Sequence, residues 1–166
     1  PEFPLPAGTL PPGLPTEKPF VLLHPYARGG GKSLSGKAIH AFCLAMAPIP
    51  VVVAGRGSQG GVLPENAINF LNRTDIPGLI GLIRAAAYVV SVDSGPMHIA
   101  AAIHPRLLSI HTWSDPRLVG PFNEKASVWQ GGEIRPQRFD DHALPPARTP
   151  EDADLTAMAH WVRERI

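Results

Sequence analysis

The chain has 166 residues, 44% of them apolar and 17% charged, enough for one domain that buries roughly 70% of its unfolded surface. Its 15 basic and 14 acidic residues nearly cancel, which excludes the broad positive field of a nucleic-acid binder, so any anion site has to be local. No apolar run approaches the length of a membrane span, and the single cysteine, Cys43, lies among Ala41, Phe42, Leu44 and Met46 as a small core residue. The expectation is a cytoplasmic protein from a reducing compartment, with at most peripheral contact with a membrane.

Residues 1–18 carry six prolines, which remove backbone donors and oppose both helix and central strand. They are expected to be a linker arriving from a preceding domain, an ordinary tail being the alternative, and residues 19–166 to form one globular unit. The apolar run over residues 20–24 predicts a strand buried on both faces, and a glycine-rich turn follows over residues 25–32. Ile39, Phe42, Cys43 and Met46 fall at helical spacing within residues 35–47, and Pro48 and Pro50 stop that helix. A second buried strand covers residues 51–54, with Gly55, Gly57, Gly60 and Gly61 in the loop after it. Residues 67–71 are expected as a third strand, 79–87 as a helix and 88–92 as the clearest strand of all.

Beyond the turn at residues 93–96, residues 97–103 should be a short helix, 107–111 another strand and 127–130 an edge strand. A final helix is expected over residues 150–165, with Thr149 and Pro150 as cap and first-turn residues. The alternation predicts an α/β fold: a Rossmann-like parallel sheet of five or six strands with helices on both faces. In a sheet of order 3-2-1-4-5 the winding reverses between strands one and four, and ligands bind beyond their carboxyl ends. The loops at residues 25–33 and 93–98 should therefore meet.

Asp93, Ser94, Gly95 and Pro96 end a buried strand and open a helix, so free amides near Gly95, Met97 and His98 would offer an anion seat, with the helix dipole adding about 0.3 to 2 kcal/mol. Ser94 can donate a hydroxyl, Gly95 permits close approach, and Asp93 can accept from sugar hydroxyls. The plain alternative is that Ser94 or Asp93 only caps the helix and His98 only packs. Lys32 could reach phosphates from the glycine loop and Arg28 offers a second cation, a solvated basic loop being the competing interpretation. Gly31-Lys32-Ser33 also matches the end of a P-loop, although the first glycine of that motif is replaced by Tyr26.

Weaker candidates are Arg56, in a glycine turn after the second strand, and Thr112 and Trp113 after the fifth. Asp152 and Asp154 have the spacing of a metal-binding pair but read better as an acidic first turn, and Asp140, Asp141 and His142 sit in an irregular segment; no metal site is expected.

The string VVSVDSGPMHIAAA over residues 89–102, followed by residues 107–110 and by TWSDP over residues 112–116, resembles family 9 glycosyltransferases, the group that includes lipopolysaccharide heptosyltransferases. A looser match runs from His24 through Lys32, and the similarity spans about residues 20–122. The resemblance implies the C-terminal, donor-binding half of a GT-B glycosyltransferase. Lys32 and Ser94, Gly95, Pro96, Met97 and His98 would hold the diphosphate of an ADP-heptose-like donor, and Asp93 would approach its sugar. It also implies inverting transfer without metal or cofactor to a lipopolysaccharide or other glycan. The acceptor surface and the catalytic base would belong to an N-terminal domain absent from this chain, which alone would be inactive. A non-catalytic nucleotide-binding module and a P-loop-like phosphotransferase remain the alternatives.

Overall fold

The computed structural model describes residues 4–15, 17–58 and 61–166; Gly60 and residues 1–3 and 16 of the expected linker lie outside them. In chain order the elements are β1 (Val21–His24), α1 (Gly36–Met46), β2 (Val51–Gly55), β3 (Ala67–Leu71), α2 (Ile76–Ala85), β4 (Tyr88–Val92), α3 (Gly95–Ile103), β5 (Leu107–Ile110), α4 (Pro116–Val119), β6 (Ser127–Gln130), β7 (Glu133–Pro136) and α5 (Asp152–Arg163). The sheet order is β3-β2-β1-β4-β5-β6-β7. Every pairing is parallel except β6 with β7.

Alternate residues of the central strands serve two cores because both faces of the sheet are covered. Val21, Leu23, Val51, Val53, Val90 and Val92 face α1 and α5, whereas Leu22, Val52, Val89 and Leu107 face α2 and α3. Cys43 is buried in the first core, as its apolar neighbours imply.

Three boundaries differ from the sequence pattern. Residues 127–130 are not an edge, since β7 pairs with them through a two-residue turn in which Gly131 and Gly132 have φ of 59° and 91°. Two successive left-handed residues give the turn whose twist matches a hairpin, and glycine adopts it without steric cost. Helix α2 begins at Ile76, three residues before its first apolar-periodic position, because the Asp75 side chain accepts from the Gly78 amide at 2.8 Å. Helix α5 starts at Asp152 instead of Pro150: Asp154 accepts from the Glu151 amide at 2.8 Å and also takes the Arg148 guanidinium at 2.6 and 2.8 Å. That reciprocal cap outcompetes Thr149.

The proline-rich residues lie along α2. The Thr9 amide donates to Pro77 O at 3.0 Å and Arg84 donates to the carbonyls of Leu5 and Pro6 at 2.9 and 3.2 Å. A β-carbon on Gly81 would stand 2.2 Å from Thr9 O, so only glycine lets the segment come this close.

Candidate functional site

The loop after β1 closes on itself. Leu34 N donates to Pro25 O at 2.9 Å, and the Ser33 hydroxyl donates to Ala27 O at 3.2 Å while accepting from Ala27 N at 3.0 Å. Ser33 is therefore spent on the loop, and the Gly31-Lys32-Ser33 run does not open a helix; α1 begins at Gly36 behind its own cap, Ser35. This geometry removes the main support for a P-loop, in which the serine must be available to a magnesium ion. Trp113, from the loop after β5, donates its indole N–H to Gly30 O at 3.0 Å, and Gly31 takes a φ of 73° beneath it.

The two loops meet, as the topology requires. Lys32 Nζ lies 2.7 Å from Asp93 Oδ2 and 4.8 Å from the centre of the Trp113 ring. Beside them opens a crevice of about 620 Å³ between the ends of β2, β1 and β4, lined by Arg28, Lys32, Arg56, Asp93, Ser94 and His98 among others. Gly95 and Pro96 also face it, whereas the Met97 side chain is fully buried in the core, leaving its amide as the only group it can offer. Thr112 is buried with its hydroxyl unpaired among the described residues and does not line the crevice.

Ser94 begins α3 without capping it: its hydroxyl donates to Val92 O at 3.0 Å. The first-turn amides of Gly95 and Met97 have no carbonyl one turn earlier to bond, which makes this helix end electropositive. The His98 amide, by contrast, closes the turn onto Ser94 O at 3.4 Å and is not free. Burial pushes the Asp93 carboxyl up, but the Lys32 ammonium 2.7 Å away outweighs it and holds Asp93 below its usual range, ionised.

Behind Asp93 lies a polar network that the sequence reading did not pick out. Ser109 on β5, with His111 and Ser114 just beyond it, is buried, and His111 bonds both hydroxyls, at 2.8 and 2.9 Å. A serine and a histidine two residues apart in an otherwise apolar strand were the available signal. Burial pushes the His111 ring down to about 4 against the pull of Asp93. His24, at the end of β1, is likewise lowered to about 4 by burial, with Nδ1 unpaired among the described residues and its ring against Gly55, where a β-carbon would come within 2.8 Å.

Asp140, Asp141 and Asp154, considered for metals, are paired with arginines. Asp140 and Asp141 pair with Arg138 and Arg117 at 2.6 and 3.0 Å, and Asp154 caps α5. Among the described residues no group of three or more metal-ligating side chains converges, and no helix is long and apolar enough to cross a membrane.

The two buried imidazoles set an acid limit on stability. Their pKa values are lowered from 6.5 to about 4, so between those values the unfolded chain binds protons that the folded chain refuses. Stability is full above the upper value and is lost as pH falls through the window, by a few kcal/mol for the pair. Urea unfolding at about pH 7 and about pH 4.5 measures this. Equal stability at both would contradict the burial of neutral His24 and His111.

The model of glycosyltransferase family 9 (heptosyltransferase) matches residues 59–142. Lipooligosaccharide heptosyltransferase 2 of Haemophilus influenzae is 33% identical over 66 residues, a stretch covering 40% of this chain and 19% of that protein. Among solved structures, E. coli heptosyltransferase WaaC with ADP superposes with a TM-score of 0.64 at 18% identity, covering 93% of this chain and 47% of that one. E. coli ADP-heptose lps heptosyltransferase II does so with a TM-score of 0.61 at 24% identity, covering 91% and 49%. The chain thus spans about half the length of these structures, and the likeness to them is one of fold.

Proposed function

Because this chain belongs to glycosyltransferase family 9, the heptosyltransferase family, we propose that its crevice is the donor site of an inverting transferase and takes an ADP-heptose-like nucleotide sugar. The observation that carries this reading is the convergence of Lys32 and the uncapped first turn of α3 on one crevice, with the ionised Asp93 between them. An ammonium has three donors, so Lys32 can keep Asp93 and still bond phosphate oxygens. The amides of Gly95 and Met97, with Ser94, Pro96 and His98 lining the same side of the crevice, form the opposite wall of the diphosphate seat. Asp93 accepts from hydroxyls of the sugar carried by the second phosphate. Arg28 and Arg56 supply further positive potential from the rim, and Trp113 steadies the lysine loop.

In the transfer, an acceptor hydroxyl attacks the anomeric carbon, the bond to the phosphate oxygen breaks, and ADP departs with the electron pair. Lys32 and the helix amides stabilise the negative charge as it gathers on the diphosphate, a role that needs no metal. The acceptor, a lipopolysaccharide or other surface glycan, and the base that takes its proton belong to a second domain. On this reading residues 19–166 are the donor-binding unit, residues 1–18 connect it to its partner domain, and the protein works at the cytoplasmic side of a membrane.

Calorimetric titration with ADP and with ADP-heptose, in the presence of a chelator, tests the proposal. Saturable binding of both is expected. Binding confined to a nucleoside triphosphate with magnesium would return the site to the phosphotransferase class.

A further inference from the structure

We propose that Tyr26 and Ile76 form the platform for the donor's nucleobase: an aromatic ring and an exposed aliphatic side chain, lining one end of the crevice, that receive the flat faces of the base. The inference rests on the donor-site reading above and deepens it by naming what holds the nucleoside.

The two ends of the crevice differ in chemistry. Lys32, Asp93 and the first turn of α3 gather beyond β1 and β4, where the diphosphate and the sugar are assigned. The other end runs over β2 to the start of α2, and Tyr26, Gly55, Ile76 and Leu79 line it. Tyr26 follows β1 and Ile76 follows β3, so they reach the crevice from opposite sides of β2, and Gly55 at the end of β2 puts no side chain between them. A charged diphosphate and a polyhydroxylated sugar lose hydration against such apolar walls without gaining hydrogen bonds. The base is the one part of a nucleotide sugar with apolar faces to stack, and Thr74 and Asp75 in the same lining offer polar atoms to its edge.

Both residues are held in place before any ligand arrives. The half-buried Tyr26 ring lies along Gly57, where a β-carbon would stand 2.4 Å from its Cδ2. Gly57 is clasped in turn by Asn72, whose side-chain oxygen accepts from the Gly57 amide at 3.1 Å and whose side-chain nitrogen donates to the Gly57 carbonyl at 2.8 Å. Asn72 adopts a left-handed φ of 60°, a conformation uncommon outside glycine. The ring is therefore braced on one side, which lowers the cost of ordering it on binding. Ile76 is 61% exposed although it opens α2, because the Asp75 cap starts that helix ahead of its core-facing positions. An exposed isoleucine alone signals nothing. Lining the same crevice as a braced aromatic ring, with phosphate receptors at the far end, it completes a slot for a planar ring.

The test sets ADP against inorganic pyrophosphate, which keeps the diphosphate and lacks the base. With the whole chain, Tyr26→Ala is expected to weaken ADP about tenfold while changing pyrophosphate less than about twofold, and Tyr26→Phe, which keeps the ring, to recover the loss. Ile76→Ser, at an exposed position, should weaken ADP alone by about threefold. Proton NMR of the unmodified chain with ADP is expected to show nuclear Overhauser contacts from adenine H2 or H8 to the Tyr26 ring and the Ile76 methyls, a readout that does not depend on any variant folding. Unchanged ADP affinity in Tyr26→Ala, an equal loss of ADP and pyrophosphate, or ADP bound without those contacts would each overturn the platform while leaving the donor site standing. If the unmodified chain binds neither ADP nor pyrophosphate, the donor-site reading fails, and the platform fails with it.

Discussion

Lys32→Ala is expected to weaken ADP-sugar binding about ten- to a hundredfold, equivalent to about 1.5 to 3 kcal/mol for lost hydrogen bonds to a charged group. The fold makes the expectation sharper than the residue type does. Lys32 Nζ sits 2.7 Å from Asp93 Oδ2 in a pair whose carboxylate partner is largely buried, so its removal takes a phosphate donor away and also deprives Asp93 of its cation. Asp93 then meets, without its ammonium, the desolvation that pushes its carboxyl up. Its pKa rises, and because a depressed carboxylate pKa stabilises only above the pH at which the group ionises, the variant should lose both stability and affinity at a higher pH than the unmodified chain. Lys32→Arg should recover only part of the affinity, since a planar fork does not fill the place of a compact ammonium packed 4.8 Å from the Trp113 ring centre. Titration calorimetry at two pH values reads both effects. Affinity unchanged in Lys32→Ala would leave Lys32 as an internal partner of Asp93 and no more.

A second large effect is expected if, as proposed, the acceptor site and the base belong to a second domain. Incubated with ADP-heptose and a deep-rough lipopolysaccharide acceptor, it should bind the donor and transfer nothing, whereas a longer protein in which it follows a second Rossmann-like domain should transfer. Inverting displacement needs a base within hydrogen-bond reach of the acceptor hydroxyl and a closed cleft holding that hydroxyl against the anomeric carbon. Within the crevice, burial lowers His24 to about 4, and Asp93 is occupied by Lys32. His98 also lines the crevice, and the proposed donor site assigns it to the diphosphate. Sugar transfer by the chain alone, abolished by His24→Ala or His98→Ala, would show that the site is complete within it.

Much of this architecture could be read from the residues, because strands and helices leave local periodic signatures. The apolar runs of β1, β2, β4 and β5 and the helical spacing of Ile39, Phe42, Cys43 and Met46 place those elements correctly. The strand order then follows from the rules of parallel sheets, which predict that the loops after β1 and β4 meet. The β6–β7 hairpin was signalled by Gly131-Gly132, yet its strands of four residues each are too short to show an alternation. The starts of α2 and α5 depended on which of several polar residues won the cap, a competition among side chains only a few residues apart.

The residues alone determined that Lys32 and Asp93 would share a crevice, since chain order and handedness leave the two loops no other place. Only the tertiary structure decided that they form an ion pair, that Ser33 is consumed within its own loop, and that His111 stands behind Asp93. The physical reason is that hydrogen-bond partners are chosen by distance and burial in the folded chain. A lysine and an aspartate 61 residues apart carry no mutual signal until the sheet brings their loops together.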